Sequence, residues 1–533
     1  MPFVRKILSL RRLVCVVILA FSCVAVAPEL AAQNVVVEVH ALENGMQFLL
    51  VPRQGDPNVA VGWIAKVGSV NERPGITGTA HLFEHMMFKG TRVIGTKDID
   101  KDLQIIRELD RVKAELVAGD ERQQREAQRA ENGGEEAAER SADRKKLLVE
   151  FQKLLAEQKE ILVKDEFDRL YSAAGASGLN AGTTYDFTIY FVNVPTNKLE
   201  LWFWMESDRL LNPVFREFYS ERDVVREERR LRVESTPTGK FREQFESLFW
   251  SASPYGWPVI GWPSDVEGIN RQEALEFYDL YYAPGNLTAC LVGDFDPEVA
   301  KELADKYFGR LKKATKTPPS VRTKEVPQLA EKRMTAYAPT KPQVIVRYHT
   351  VPDGHPDEPA LIVLADILSG RTGRLYKSLV LDKKVANSAS AAQNGMKHEG
   401  YFRLEGVAKP DHRPEDVEAA LTAVLEEVTT KPPSERELQK VKNQWAASEF
   451  RKLRSNFRLM MELVIRDAYR GWETINTDPP HLQAVTAEDV VRAVSTYFEP
   501  QNRTVLIYRT SDGADGNDTD GNDTDGRAEG GKP

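Results

Sequence analysis

Cysteine and histidine are scarce in this chain of 533 residues, which contains three of the former and eight of the latter. Cys15 and Cys23 lie close to the N-terminus, so that Cys290 is the only cysteine in the rest of the chain. In a mature chain that has lost Cys15 and Cys23, the one remaining thiol cannot form an internal disulfide, and a metal site built from several thiolates is excluded. A metal site in this chain therefore has to use histidine and carboxylate ligands.

Excess positive charge is also missing. The chain has 72 lysines and arginines against 80 aspartates and glutamates, a net charge of −8. Since nucleic-acid-binding proteins attract phosphates through an excess of basic residues, we expect no nucleic-acid partner. The length predicts more than one domain, and a hydrophobic content of 41% is enough for substantial cores.

One apolar run, residues 13–27, is shorter than the roughly 20 residues that span a bilayer. It follows a basic stretch, residues 5–12, and precedes small residues at 31–32 that fit a cleavage site. This order predicts a secretory signal peptide over residues 1–32 and export across the inner membrane to the periplasm. The alternatives are an uncleaved membrane anchor or, more weakly, a lipid attached to Cys23.

The most informative motif is His81-Leu-Phe-Glu84-His85. On a helix, residues four apart lie on one face, so both imidazoles can reach one Zn²⁺. Glu84 is next to His85 and one turn after His81, so that its carboxylate can lie over the same metal. The order H-x-x-E-H is the reverse of the commoner H-E-x-x-H. The alternative is a buried helix with two hydrogen-bonded histidines and a surface glutamate.

A catalytic zinc usually has three protein ligands, and residues 217–233 predict an acidic helix that could supply the third. Glu221 and Glu228 are seven residues apart and therefore lie on one face of this helix. The residues alone do not choose between the acidic side chains of this segment, because acidic helices are common and are usually only solvated.

Alternating strands and helices predict an α+β protein with two homologous α/β domains. The first domain is expected over residues 33–311, a linker over 312–335, and the second domain over 336–510. Residues 511–533, which repeat Gly-Asn-Asp-Thr-Asp, predict a disordered tail, with calcium binding as a weak alternative. Residues 100–165 predict an inserted coiled-coil hairpin of two long helices, either a solvated protrusion or a docking arm.

Within the first domain, residues 175–182 are rich in glycine and predict a turn. Residues 183–194 are rich in β-branched and aromatic residues and predict one long strand.

These motifs resemble the pitrilysin, insulin-degrading and mitochondrial-processing group of zinc peptidases, the M16 family, over roughly residues 35–100 and 166–508. In that family H-x-x-E-H is followed by a helix of the form E-R-x-x-V-x-x-E, which residues 221–228 match. The resemblance implies zinc ligands at His81, His85 and Glu228, a general base at Glu84, and a supporting carboxylate at Glu221.

The resemblance further implies half of a clam-shaped chamber and a zinc-dependent endopeptidase. Its substrates would be peptides or unfolded segments, bound as an added strand beside Asn180 and Ala181.

The chain departs from the family in two places. The gap between His85 and Glu228 is about twice the usual length, and the predicted hairpin accounts for the excess. In the second domain the family has an arginine and a tyrosine that hold the substrate, in a stretch like L-R-E-K-x-G-L-A-Y, whereas this chain has Val380 and Asn387. The resemblance therefore implies a heterodimer with a zinc-less M16 subunit that supplies these two groups, with a homodimer as the alternative.

Two other functions remain open at this point. M16-like proteins also serve as non-catalytic structural subunits, although such members typically lose the metal motif. The motif alone would also permit a zinc hydrolase that acts on bonds other than peptide bonds.

Overall fold

The computed structural model describes residues 34–128 and 134–511. The predicted signal peptide, residues 1–32, and residues 512–533 of the predicted tail lie outside this range. No helix in the described part of the chain combines the length and the apolar character needed to cross a lipid bilayer.

The strands and helices alternate along both halves of the described chain. The strands are β1 Glu38–Ala41, β2 Gln47–Pro52, β3 Asn58–Ala65, β4 Ser177–Thr183, β5 Thr188–Pro195, β6 Leu287–Gly293, β7 Lys332–Ala338, β8 Gln343–Thr350, β9 Ala386–Gly395, β10 Gly400–Ala408 and β11 Arg503–Thr510. The helices are α1 Thr79–Met86, α2 Ile99–Gln128, α3 Gly134–Ile161, α4 Glu166–Ala173, α5 Leu199–Leu211, α6 Phe218–Arg229, α7 Gly239–Phe249, α8 Pro263–Gly268, α9 Arg271–Tyr281, α10 Pro297–Phe308, α11 Glu358–Leu368, α12 Pro414–Thr430, α13 Glu435–Arg454, α14 Asn456–Tyr469, α15 Thr474–Ala484 and α16 Ala487–Tyr497.

The two halves of the chain form sheets that share a five-stranded topology, and the first sheet has one further edge strand, β1. The first sheet has the order β1-β2-β6-β3-β5-β4 and the second has the order β7-β11-β8-β10-β9. In each sheet one pair is parallel, β2 with β6 and β7 with β11, and the next three strands are antiparallel. The predicted α+β fold with two homologous domains is therefore confirmed.

The prediction for residues 175–194 was wrong in detail. The glycine-rich segment forms most of strand β4, and the predicted long strand is broken by a turn at Thr184–Phe187, where Thr184 N–H donates to the Phe187 carbonyl at 2.8 Å. Glycine is tolerated here because β4 is the outermost strand of its sheet. Gly178 has φ +68° where the pairing of β4 with β5 shifts register.

Each sheet receives a helix from the other half of the chain. On one face of the first sheet, Leu459, Met460 and Leu463 of α14 pack into a cluster with Ile64 and Cys290. A near-continuous apolar strand such as β3 needs cover on both faces, and α14 supplies the second one. In the same way, α7 of the first half packs against β7 and β11 of the second half.

The inserted segment folds as predicted into two long helices, α2 and α3, that pack against each other. Arg111 pairs with Glu150 at 2.5 Å, and Arg144 pairs with Asp120 at 2.7 Å, so that ion pairs join the two helices along their exposed faces.

Candidate metal centre

One face of helix α1 packs into the hydrophobic core of the first half of the chain, and this packing fixes the direction of the two histidines on its other face. Phe83 is 1% exposed and lies among the rings of four aromatic residues, Phe215, Phe277, Tyr278 and Tyr282. His81 and His85 occupy the other face, with ring centroids 4.9 Å apart. The apolar residues between the histidines thus orient the pair.

The N-terminus of α1 has a carboxylate cap that the sequence analysis missed. Glu72 is buried, and its two oxygens accept hydrogen bonds from the N–H groups of Gly78 at 2.9 Å and Ala80 at 2.7 Å. Burial raises the pKa of Glu72, against the effect of these two hydrogen bonds. Gly78 has φ +91°, and a Cβ atom there would lie 2.7 Å from the Ile260 carbonyl oxygen, so that the helix can start here only with glycine.

Helix α6 brings Glu228 to the two histidines. Its Oε2 atom lies 3.3 Å from His85 Nε2 and 3.7 Å from His81 Nε2. Two ligand atoms that share a tetrahedral zinc at the usual bond lengths are about 3.3–3.5 Å apart. Of the histidine, cysteine and acidic side chains in the described residues, only these three form a group whose ligand atoms all lie within 4.8 Å of one another. Their spacing therefore fits one zinc ion.

Glu221 orients His85. The Nδ1 atom of His85 is hydrogen-bonded to Glu221 Oε1 at 2.9 Å, and the other Glu221 oxygen pairs with Lys89 at 2.5 Å. Burial alone would lower the pKa of His85, but this hydrogen bond and the nearby negative charges raise it. Burial alone would raise the pKa of Glu221, but His85 and Lys89 lower it. With Nδ1 engaged, Nε2 is left facing Glu228.

His81 is ready to act as a ligand in its neutral form. Burial, and then the positive charges of His85 and Arg232, lower its pKa to about 3. Its Nδ1 atom is buried and has no hydrogen-bond partner in the described part of the chain. A metal binds neutral imidazole, so these residues fit Zn²⁺. Arg232 pairs with Glu228 Oε1 at 2.8 Å and leaves Oε2 for the metal.

Glu84 and His85 line a cavity of about 810 Å³. Glu84 is half-buried, and part of its surface is open to a molecule in this cavity. Glu84 lies on α1 with His81 and His85, and its role as the general base stays a prediction.

Asn180 and Ala181 lie on β4, which packs against α1. Strand β4 pairs with β5 on one side, and no described strand pairs with its other edge. Backbone groups on a free edge can accept an additional strand.

Val380 and Asn387 lie in the second half of the chain. Val380 is part of a π-helical turn, Tyr376–Asp382, and Asn387 on β9 donates its side-chain N–H to the Ala408 carbonyl at 3.0 Å. Between them Lys384 has φ +56°, a conformation that favours glycine, at the position where the family pattern has glycine. The backbone thus supports the alignment that leaves valine and asparagine in place of arginine and tyrosine.

Comparisons with known proteins agree with this geometry. Residues 48–124 match the family model described as Insulinase (Peptidase family M16), and residues 268–445 match the model described as Peptidase M16 inactive domain. The first range contains His81, Glu84 and His85, whereas the second covers most of the second sheet.

Three similar proteins match most of this chain, two of them from Helicobacter pylori and one from Pseudomonas fluorescens. The zinc protease PqqE of H. pylori is 26% identical over 477 residues, which cover 87% of this chain and 91% of that protein. The crystal structure of a protease from H. pylori superimposes with a TM-score of 0.72 and 23% identity, over 89% of this chain and 99% of that one. A structure titled peptidase M16 inactive domain, from P. fluorescens, has a TM-score of 0.68 and 15% identity, over 89% and 98% of the two chains.

Proposed function

The chain is an M16-family, zinc-protease-like protein, and from this premise we propose that it is a zinc-dependent endopeptidase. The observation that carries the proposal is the meeting of His81, His85 and Glu228, which come from two helices far apart in the sequence, with ligand atoms at spacings that suit zinc. Glu84, on the same helix as the two histidines, is half-buried and lines a cavity together with His85.

His81, His85 and Glu228 would hold the metal, and Glu221 would keep His85 in the ligating orientation. A zinc ion in such a site supplies a Lewis acid, which polarises a carbonyl group and makes water acidic enough to attack near neutral pH. Glu84 accepts the proton of the attacking water and then donates it to the amine that leaves.

The substrate would pair with the free edge of β4. Backbone hydrogen bonds beside Asn180 and Ala181 would hold an extended chain, which favours peptides and unfolded segments over folded proteins. The close packing of β4 against α1 supports this placement, because it brings an added strand near the histidines.

A second subunit completes the proposal. Since Val380 and Asn387 cannot supply a cation and a phenol, we expect a zinc-less M16 partner to supply an arginine and a tyrosine, with a homodimer as the alternative. The basic and apolar N-terminal residues support export to the periplasm.

Glu84→Gln tests the proposal, together with the zinc content of the purified protein. We expect about one zinc per chain in both proteins, peptide cleavage by the wild type, and loss of cleavage in the variant. Glu227→Gln is the matched control, because Glu227 is exposed on α6 and pairs with Arg230. A wild-type protein that binds zinc but cleaves no peptide, alone or with a co-purifying subunit, would favour the non-catalytic structural role.

A further inference from the structure

The cavity beside Glu84 has a wall that comes from the inserted hairpin. Its lining includes Gln152, Leu155, Ala156 and Lys159 of α3 as well as Glu84 and His85 of α1. The insertion is therefore part of the surroundings of the metal centre and not only an arm that extends from the domain.

Buried contacts fix this wall of the cavity to the segment that follows α1. Arg216, which is 1% exposed, donates to Asp102 of α2 at 2.8 Å and to the carbonyl oxygens of Lys89, Thr91 and Ile94 at 2.6–2.9 Å. Asp102 also accepts a hydrogen bond from Gln158 of α3 at 2.9 Å. Both helices of the hairpin are thus tied to the loop after α1.

Backbone hydrogen bonds secure the C-terminal end of α3 as well. Lys97 N–H donates to the Ile161 carbonyl at 2.9 Å, and Val163 N–H donates to the Gly95 carbonyl at 3.1 Å. A wall held by buried side chains and by paired backbone keeps its position when a ligand enters.

Several charged groups of the cavity are engaged with one another, whereas Lys159, Lys164 and Asp165 of the lining are exposed. Glu221 pairs with His85 and Lys89, while Glu217 lies 3.7 Å from Lys89. Glu166 accepts a hydrogen bond from Gly95 N–H at 2.6 Å. The apolar part of the lining includes the half-buried Phe88, Leu155 and Leu162, together with the exposed Ala156 and the buried Phe167.

We propose that the inserted hairpin gives this protein a subsite for a large apolar side chain of the bound peptide, close to the bond that is cut. This inference rests on the proposed function. The volume of about 810 Å³ lies within the range of cavities that enclose a small ligand, and Leu155 and Ala156 form the side that the insertion contributes. The hairpin thereby sets which side chains the peptidase prefers.

Two substitutions on α3 test the subsite. Ala156→Trp fills the cavity from an exposed position, and Leu155→Ala enlarges it. The matched controls are Ala142→Trp and Leu148→Ala, on the same helix at exposed positions outside the cavity lining. The probes are ten-residue peptides of alanine, glycine and serine that carry one phenylalanine, whose position differs from peptide to peptide. In the reference peptide, alanine replaces this phenylalanine.

Two readouts separate this proposal from the peptidase proposal. The kcat/KM values report cleavage by the active protein, and fluorescence anisotropy reports peptide binding by full-length zinc-loaded Glu84→Gln. We expect one phenylalanine position to improve both values by about 10-fold or more over the reference, and Ala156→Trp to remove that preference. Leu155→Ala should shift the preference towards tryptophan, and the controls should behave as the wild type.

A phenylalanine preference that survives Ala156→Trp would overturn the subsite even if the protein is a peptidase. If the wild type cut no peptide while Ala156→Trp removed the binding preference, the subsite would stand and the peptidase proposal would fail. Absence of peptide binding in Glu84→Gln would also overturn the subsite. If Leu155→Ala unfolds, as circular dichroism would show, the exposed Ala156→Trp decides.

Discussion

His85 Nδ1 lies 2.9 Å from Glu221 Oε1, although the two residues are 136 positions apart in the sequence. A carboxylate on the outer nitrogen of a ligating histidine fixes the ring and its tautomer and makes the other nitrogen a better ligand. The two glutamates on one face of α6 thus have different neighbours: Glu221 contacts His85 Nδ1, and Glu228 lies near both Nε2 atoms, where it would bind a metal.

Replacing Glu221 by glutamine should weaken zinc binding by about 10–100-fold, because the amide carries no charge to support His85. Competition with a chromogenic chelator measures the affinity. Glu227→Gln, on the exposed side of the same helix, should bind zinc as tightly as the wild type. Equal affinities for all three proteins would show that Glu221 does not act through His85.

Arg216 and Asp102 form a buried ion pair that joins the hairpin to the loop after α1. Arg216→Met should lower the free energy of unfolding by about 3–5 kcal/mol, because it leaves the Asp102 charge buried without its partner. Combining it with Asp102→Leu should cost less than the sum of the two single changes, as urea denaturation would show. Strictly additive losses would mean that the two residues act separately.

These distant contacts mark what the sequence could and could not predict. The His81–His85 pair follows from local helical spacing, so the sequence alone located it. Glu228 required the family resemblance, because an acidic helix presents several equivalent carboxylates. Neither the Glu72 cap nor the Arg216–Asp102 pair was foreseen, since a hydrogen bond across a fold leaves no periodic pattern.

The sequence also did not predict how the two halves of the chain pack against each other. The apolar face of α14 indicates that the helix is buried, but it does not say which sheet covers it, and the structure places it on the first sheet. The strand β4 was taken for a turn because its glycines outweighed the pairing that an edge strand still makes with β5. The composition of a segment does not by itself decide its conformation, because pairing with a neighbouring strand also contributes.

Glu358 provides a test of stability against pH. Burial, reinforced by Asp353, raises the pKa of Glu358 to about 7, although Gly354 N–H and Arg470 oppose the shift. Because the folded state favours the protonated form, its stabilising contribution is present below pH 4.5 and is lost as the pH rises through 7.

The variant Glu358→Gln, which keeps an oxygen for the Gly354 N–H, should therefore gain stability relative to the wild type between pH 5 and pH 8.5. The expected gain in the free energy of unfolding is on the order of 2 kcal/mol, from the size of the pKa shift. Urea denaturation at a series of pH values measures it. A difference between the two proteins that does not change with pH would contradict the shifted pKa.

The most direct test of the metal centre is anomalous X-ray scattering from crystals of the zinc-loaded protein, recorded on both sides of the zinc absorption edge. We predict one anomalous peak per chain, about 2.0–2.2 Å from His81 Nε2, His85 Nε2 and a carboxylate oxygen of Glu228. The same crystals of Glu228→Ala should lose the peak or show it much weakened. A zinc peak elsewhere in the molecule, or full occupancy in Glu228→Ala, would contradict the account.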